Sequence, residues 1–198
     1  MAVVAGSARM AHALLERLEA EGTLIEGLRC EILNGELVIR GWPLTRHERV
    51  VSVLMYHLTT WKRARGGEVF AGLAIEIGDQ QLVPDVSFMG PERAGEIDEG
   101  GFHVPPDLVV EVTSPGTRSL DLREKRDIYQ AIGVGEYWVV DLAGAVVVVD
   151  RRDQAGRYAL TEAAAGTLTV LTAPGLEVPV AELLAAHPPP QHPASPSA

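Results

Sequence analysis

Residues 105–141, PPDLVVEVTSPGTRSLDLREKRDIYQAIGVGEYWVVD, limit the folds open to this chain more than any other stretch. PDLVVEV has a strand pattern, and Ser114-Pro115 followed by Gly116-Thr117 breaks it. DLREKRDIYQAI has helical spacing and is closed by Gly133 as a C-cap, and GEYWVVD is a second apolar strand. Strand alternation puts Asp107, Val109, Glu111 and Thr113 on one face and Leu108, Val110 and Val112 on the other. Glu111 is thus set among valines. On the helix, Leu122, Ile128, Tyr129 and Ile132 form the apolar stripe, with Lys125 in its middle and Asp121 four residues earlier on the same stripe. Ionisable groups at core-facing positions are costly to desolvate, so Glu111 and Lys125 need a chemical reason. The bland alternatives are a solvated i,i+4 pair and a snorkelling lysine.

The flanking sequence predicts more α/β or α+β structure. Residues 8–20 read as a helix with Ser7 as N-cap. Asn34-Gly35 between EIL and ELVI marks a hairpin over residues 28–40, with Glu31 and Glu36 read as solvated edge-strand charges. A second helix runs from near Thr45 to Trp61, and His47, Val50, Val51, Leu54, Leu58 and Trp61 share its apolar face. His47 there reads first as a structural residue beside the core. Lys62, Arg63 and Arg65 form a short basic run that a solvated loop explains and a phosphate backbone could use. Residues 68–77 and 82–89 read as strands. Asp85 in the second is bracketed by Val83, Val86 and Phe88, next to a Pro84 that disturbs the strand's start. Residues 90–104 read as a loop, AVVVVD, RYAL and TLTVL as later strands, and VAELLA as a short closing helix. The expectation is one domain over residues 1–186 and a disordered Pro- and Ser-rich tail over 187–198.

Charge and composition exclude several classes. Seventeen Lys and Arg face 27 Asp and Glu, a formal net charge of -10, which argues against coating nucleic acid by bulk charge. The single Cys30 allows neither an internal disulfide nor a cysteine zinc cluster. No apolar run reaches membrane-helix length, and the first residues lack the pattern of a signal peptide, so a cytoplasmic protein is expected. Ser114 has no nucleophile elbow around it and reads either as a hydrogen-bonder near the carboxylates or as turn chemistry.

If the strand carrying Asp85 pairs with the strand carrying Glu111, two carboxylates converge across neighbouring strands. Close, poorly solvated carboxylates call for a shared proton or a hard cation. Two carboxylates and a helix-borne lysine suit metal-assisted phosphodiester hydrolysis: the cation polarises the phosphate and lowers the pKa of its water, and the ammonium stabilises developing charge or orients that water. A nuclease-fold binding or assembly module without catalysis, and a hydrolase of small phosphoesters, are the alternatives.

Together, PDLVVEVTSPGTRSLDLREKRDIYQAIGVGEYWVVD, LVPDVSF, EILNGELVI and the His47 helix resemble the Uma2 family, bacterial DUF820-type endonucleases of the PD-(D/E)XK nuclease superfamily, over residues 24–185. The resemblance implies a restriction-endonuclease-like core: a mixed central β-sheet flanked by helices, with an N-terminal helix and β-hairpin. It implies Asp85 and Glu111 as ligands of Mg2+ (or Mn2+), the Val112 carbonyl as backbone ligand, and DNA as substrate. The superfamily's usual lysine position, two residues after the glutamate, is Thr113 here. In this family the lysine comes from the following helix, which Lys125 fits, preceded by Asp121. A homodimer is compatible with the superfamily's habits, and His47 matches a family position without an assigned role.

Overall fold

The structure, a computed structural model, describes residues 2–4, 8–22, 29–41, 43–114 and 116–185; the expectations for Ser7, Pro115 and the 187–198 tail lie outside them. Strand β1 (Ala2–Val4) precedes helix α1 (Ala8–Ala20). Ala11 and Leu15 of α1 are buried, whereas Met10 is exposed. The hairpin follows as β2 (Arg29–Leu33) and β3 (Glu36–Arg40), with Asn34 at φ 50° and Gly35 at φ 83°. Positive φ at both central residues is what a two-residue type I′ turn requires, and Asn-Gly supplies it.

Helix α2 (Thr45–Arg65) buries the six residues of its expected stripe and runs one turn past Trp61. Lys62, Arg63 and Arg65 fall in that last turn, where cations complement the helix dipole. The two strands expected over 68–77 and 82–89 are each divided. The first becomes β4 (Glu68–Phe70) and β5 (Ile75–Ile77), the second β6 (Gln80–Leu82) and β7 (Val86–Met89). In both cases the chain leaves one sheet and enters the other. Gly72 at φ 68° turns the first crossing, and Pro84, which has no N–H for a ladder, sits in the second. The 90–104 loop contains a short 3-10 turn (Ala94–Glu96) and returns through Phe102, which bridges to Ile75.

Strand β8 (Leu108–Val112) is buried at all five positions. One turn of π-helix (Leu120–Glu124) leads into α3 (Lys125–Ile132) and then β9 (Glu136–Asp141), which pairs with β8 in parallel. A strand, a crossover helix and a parallel strand form a βαβ unit, whose strands are buried on both faces and hence nearly all apolar. Strands β10 (Val146–Arg152), β11 (Tyr158–Ala163), β12 (Thr167–Val170) and β13 (Ala173–Pro179) and helix α4 (Val180–Leu184) complete the chain. β1 and β13 had no counterpart in the sequence reading.

A six-stranded mixed sheet, β11-β10-β9-β8-β7-β4, stands beside a five-stranded sheet, β1-β3-β2-β6-β5, and the β12-β13 ribbon. One face of the six-stranded sheet buries Val86, Phe88, Leu108, Val110 and Trp138 against Leu54, Leu58 and Trp61 of α2, with Val178 and Leu183 behind. The other buries Val109, Tyr137 and Val139 against Ile128 and Tyr129 of α3 and against Leu33, Val38, Ile75 and Leu82 of the smaller sheet. Alternation along β8 sends Glu111 to this second face, among α3 and the hairpin.

Candidate active site

β7 and β8 are antiparallel neighbours, with Val86 opposite Val110. Asp85, just before β7, therefore lies beside the C-terminal end of β8, and its Oδ2 accepts the Val112 backbone N–H at 2.7 Å. A strand residue sends its N–H and C=O to the same side, so the Val112 carbonyl also leaves β8 on the β7 side. His47, from the first turn of α2, places Nε2 2.9 Å from Asp85 Oδ2, and Arg29 of β2 pairs with Asp85 Oδ1. Histidine, guanidinium and amide together outweigh burial and hold the Asp85 carboxyl well below the usual carboxylate range. Burial alone would lower His47, but the Asp85 carboxylate raises it above 6.5. The first expectation for His47, a structural residue, thus gains a specific partner that faces the site.

Glu111 and Lys125 meet in the interior. Lys125 Nζ lies 2.6 Å from Glu111 Oε1, and the Tyr129 hydroxyl donates to the same oxygen at 2.9 Å. Both Glu111 and Lys125 are fully buried, which excludes a snorkelling lysine. Burial pushes the Glu111 carboxyl up to about 7, against Lys125 and Arg40. Burial would lower Lys125, but Glu111 and then Glu31 hold it protonated.

Glu31 corrects the sequence reading. It is fully buried, not solvated, and its Oε1 accepts from Lys125 Nζ at 2.6 Å while its Oε2 accepts from Arg40 Nε at 2.8 Å. Burial would raise its carboxyl, but Lys125 and Arg40 lower it. Arg40, also missed, reaches Glu111 Oε2 at 3.5 Å and Asp121 Oδ1 at 3.7 Å. The ends of β2 and β3 thus deliver Arg29, Glu31 and Arg40 to one place. A sequence signal existed only in hindsight: Glu31 and Arg40 stand in apolar strands on either side of the Asn-Gly turn.

Asp121 is fully buried but does not pair with Lys125. The expected i,i+4 α-helical relation is replaced by the π turn, in which the Lys125 N–H bonds the Leu120 carbonyl, five residues back. Neither Asp121 carboxylate oxygen has a hydrogen-bond partner among the described residues. Burial raises its pKa, against Lys125 and Arg40. Thr113, at the usual lysine position, is buried, with its hydroxyl 3.5 Å from Asp141. Ser114 and Thr117 hydroxyls lie 3.1 Å apart, which is turn chemistry rather than an activated nucleophile.

An open cleft of about 280 Å³ reaches this cluster, lined by Arg29, Arg40, Arg46, His47, Asp85 and Val112 among others. Glu111, Lys125 and Asp121 are not among its lining residues, and Arg40, which is, contacts Glu111 and Asp121. Among the described residues, no three His, Cys, Asp or Glu side chains stand together as a preformed metal site. The donor chemistry nevertheless suits a hard divalent cation. Among the described residues, the buried Asp121 carboxylate makes only a long ion pair, Oδ1 3.7 Å from Arg40, and Glu111 Oε2 has only the long contact to the same arginine. Buried anionic oxygens with spare acceptor capacity fit such an ion, provided Arg29 and Arg40 give way.

The sequence model of the Uma2 family, described as "Putative restriction endonuclease", matches residues 14–181. No curated protein matches the chain. Among solved structures, the crystal structure of "a putative nuclease belonging to DUF820" from Anabaena variabilis has a TM-score of 0.69 at 21% identity, covering 85% of this chain and 97% of that one. At that identity the likeness establishes a shared fold. With the family match spanning most of its length, the chain belongs to the Uma2 family.

Proposed function

We propose that this protein is an endonuclease that hydrolyses DNA phosphodiester bonds with a divalent cation, Mg2+ or Mn2+. The observation that carries the reading is the buried Glu111–Lys125 contact at 2.6 Å, one strand away from an Asp85 that lines an open cleft. The family's description as restriction endonucleases and the related nuclease fold support it. Asp85, Glu111 and the Val112 carbonyl are the proposed ligands, with Asp121 as an additional acidic neighbour. The bound cation would polarise the phosphate and lower the pKa of the attacking water.

The chain's own residues supply the rest. Lys125 keeps its proton at Nζ and balances the charge of Glu111, so that this carboxylate can be ionised in a buried position. The same ammonium gives the interior a fixed positive charge, which stabilises charge developing on the phosphate. Arg29 and Arg46 line the cleft as local cations for the DNA backbone, which a protein of net charge -10 needs at its site. No described helix is long and apolar enough to cross a membrane. A cytoplasmic location and a homodimer complete the proposal, the latter measurable by light scattering.

One observation favours a second reading, a nuclease-fold module without catalysis: the oxygens of Asp85 are already held by Arg29, His47 and the Val112 amide. Titrating Mn2+ into the protein by calorimetry separates the two. Binding that is lost in Asp85→Asn and Glu111→Gln, together with cleavage, supports the enzyme. Absence of binding supports the module.

A further inference from the structure

We propose that Glu31 is a positioning residue of this site, clamping the ammonium of Lys125 against Glu111 and anchoring the segment that presents Asp85. Its effect on turnover rests on the nuclease reading; its hold on Lys125 rests on geometry alone.

Glu31 and Lys125 are 94 residues apart and come from different layers, the hairpin and α3. Glu31 Oε1 accepts both from Lys125 Nζ at 2.6 Å and from the Val83 backbone N–H at 2.9 Å. Val83 lies two residues before Asp85, in the crossing where Pro84 interrupts the strand. Glu31 Oε2 accepts from Arg40 Nε at 2.8 Å. One carboxylate therefore joins the hairpin, the approach to Asp85 and the lysine. Of the three ammonium protons of Lys125, one points to Glu31 and one to Glu111. Without Glu31 the ammonium is held from one side, on a flexible four-carbon stem. Loss of the charge also leaves Arg40 free to approach Glu111 and Asp121, the acids proposed to face the cation.

The chain has only two lysines, Lys62 and Lys125, so 15N-lysine labelling yields at most two ammonium cross-peaks, which Lys62→Arg assigns. The expected Lys125 peak in the wild-type protein is displaced and exchanges its protons slowly with water. Glu31→Gln keeps the size of the side chain and an oxygen for Val83 while removing the charge. It is expected to move that peak and speed its exchange about tenfold or more, and to lower kcat about tenfold or more with KM within about threefold, the scale of outer-shell partners. Glu31→Asp keeps the charge on a shorter arm; it is expected to fall between the two and serves as the test if Glu31→Gln does not fold. An unmoved cross-peak in these variants overturns the assignment. So does a wild-type Lys125 ammonium that exchanges as freely as that of Lys62. If the wild-type protein cleaves nothing with Mg2+ or Mn2+, the nuclease reading fails, and the spectra still decide the role of Glu31.

Discussion

Lys125 Nζ sits 2.6 Å from Glu111 Oε1, with both side chains sealed from solvent. Burying such a pair is a net cost in many proteins, and breaking it by removing one partner is worse, because the survivor is left charged without compensation. Under the proposed function, the pair at this junction of two sheets and a crossover helix serves the chemistry.

Lys125→Met is expected to destabilise the protein by about 3–5 kcal/mol at neutral pH, the cost of a broken buried pair. Urea unfolding measures it. A loss below about 1 kcal/mol at neutral pH would mean the pair is not buried as described.

Arg29 shares Asp85 with the proposed cation. Its side chain is partly exposed, whereas the Asp85 carboxylate it pairs with is buried. Arg29→Ala is expected to tighten Mn2+ binding by about two- to fivefold in calorimetry without DNA. Weaker binding would show that Arg29 supports the ligand set instead of competing with it.

The His47–Asp85 pair predicts a pH window. His47 is raised above 6.5, so its contribution is fully present below 6.5 and is lost as pH rises through its folded value. Asp85 is depressed below 3.8, so its contribution is present above 3.8 and is lost as pH falls towards its folded value. Both are present between 3.8 and 6.5. In EDTA, the stability difference between wild type and His47→Gln should peak in that window and shrink on either side. A difference that is flat with pH would contradict an ionised pair.

The hairpin that carries Arg29, Glu31 and Arg40 depends on its turn. Gly35 has φ 83°, where a side chain costs about 1–2 kcal/mol. Gly35→Ala is expected to lower stability by that amount in urea unfolding while the protein keeps its fold by circular dichroism.

What the sequence revealed follows from periodicity. Lys125 was legible because helical spacing put it on the apolar stripe, and Asp85 and Glu111 because a carboxylate among valines is conspicuous. Glu31 was not, because a short strand beside a turn does not say which of its faces is covered, and the cover comes from α3, 94 residues away. The divided strands were hidden because the apolar residues continue on both sides of each crossing from one sheet to the other, with Gly72 in the first and Pro84-Asp85 in the second as the marks. The π turn at Leu120–Glu124 leaves no trace in residue spacing, which puts Asp121 on the stripe of Lys125 without showing that the two make no ion pair.

Cleavage of supercoiled plasmid DNA under single-turnover conditions tests the central claim most directly. The account predicts that the wild-type protein nicks or linearises DNA with Mg2+ or Mn2+ and not in EDTA. It also predicts that Asp85→Asn, Glu111→Gln and Lys125→Met each slow cleavage by about a hundredfold or more, as loss of a charge-stabilising group does, while the exposed Glu162→Gln does not. Cleavage that survives EDTA, or that proceeds equally well in Glu111→Gln, would contradict it.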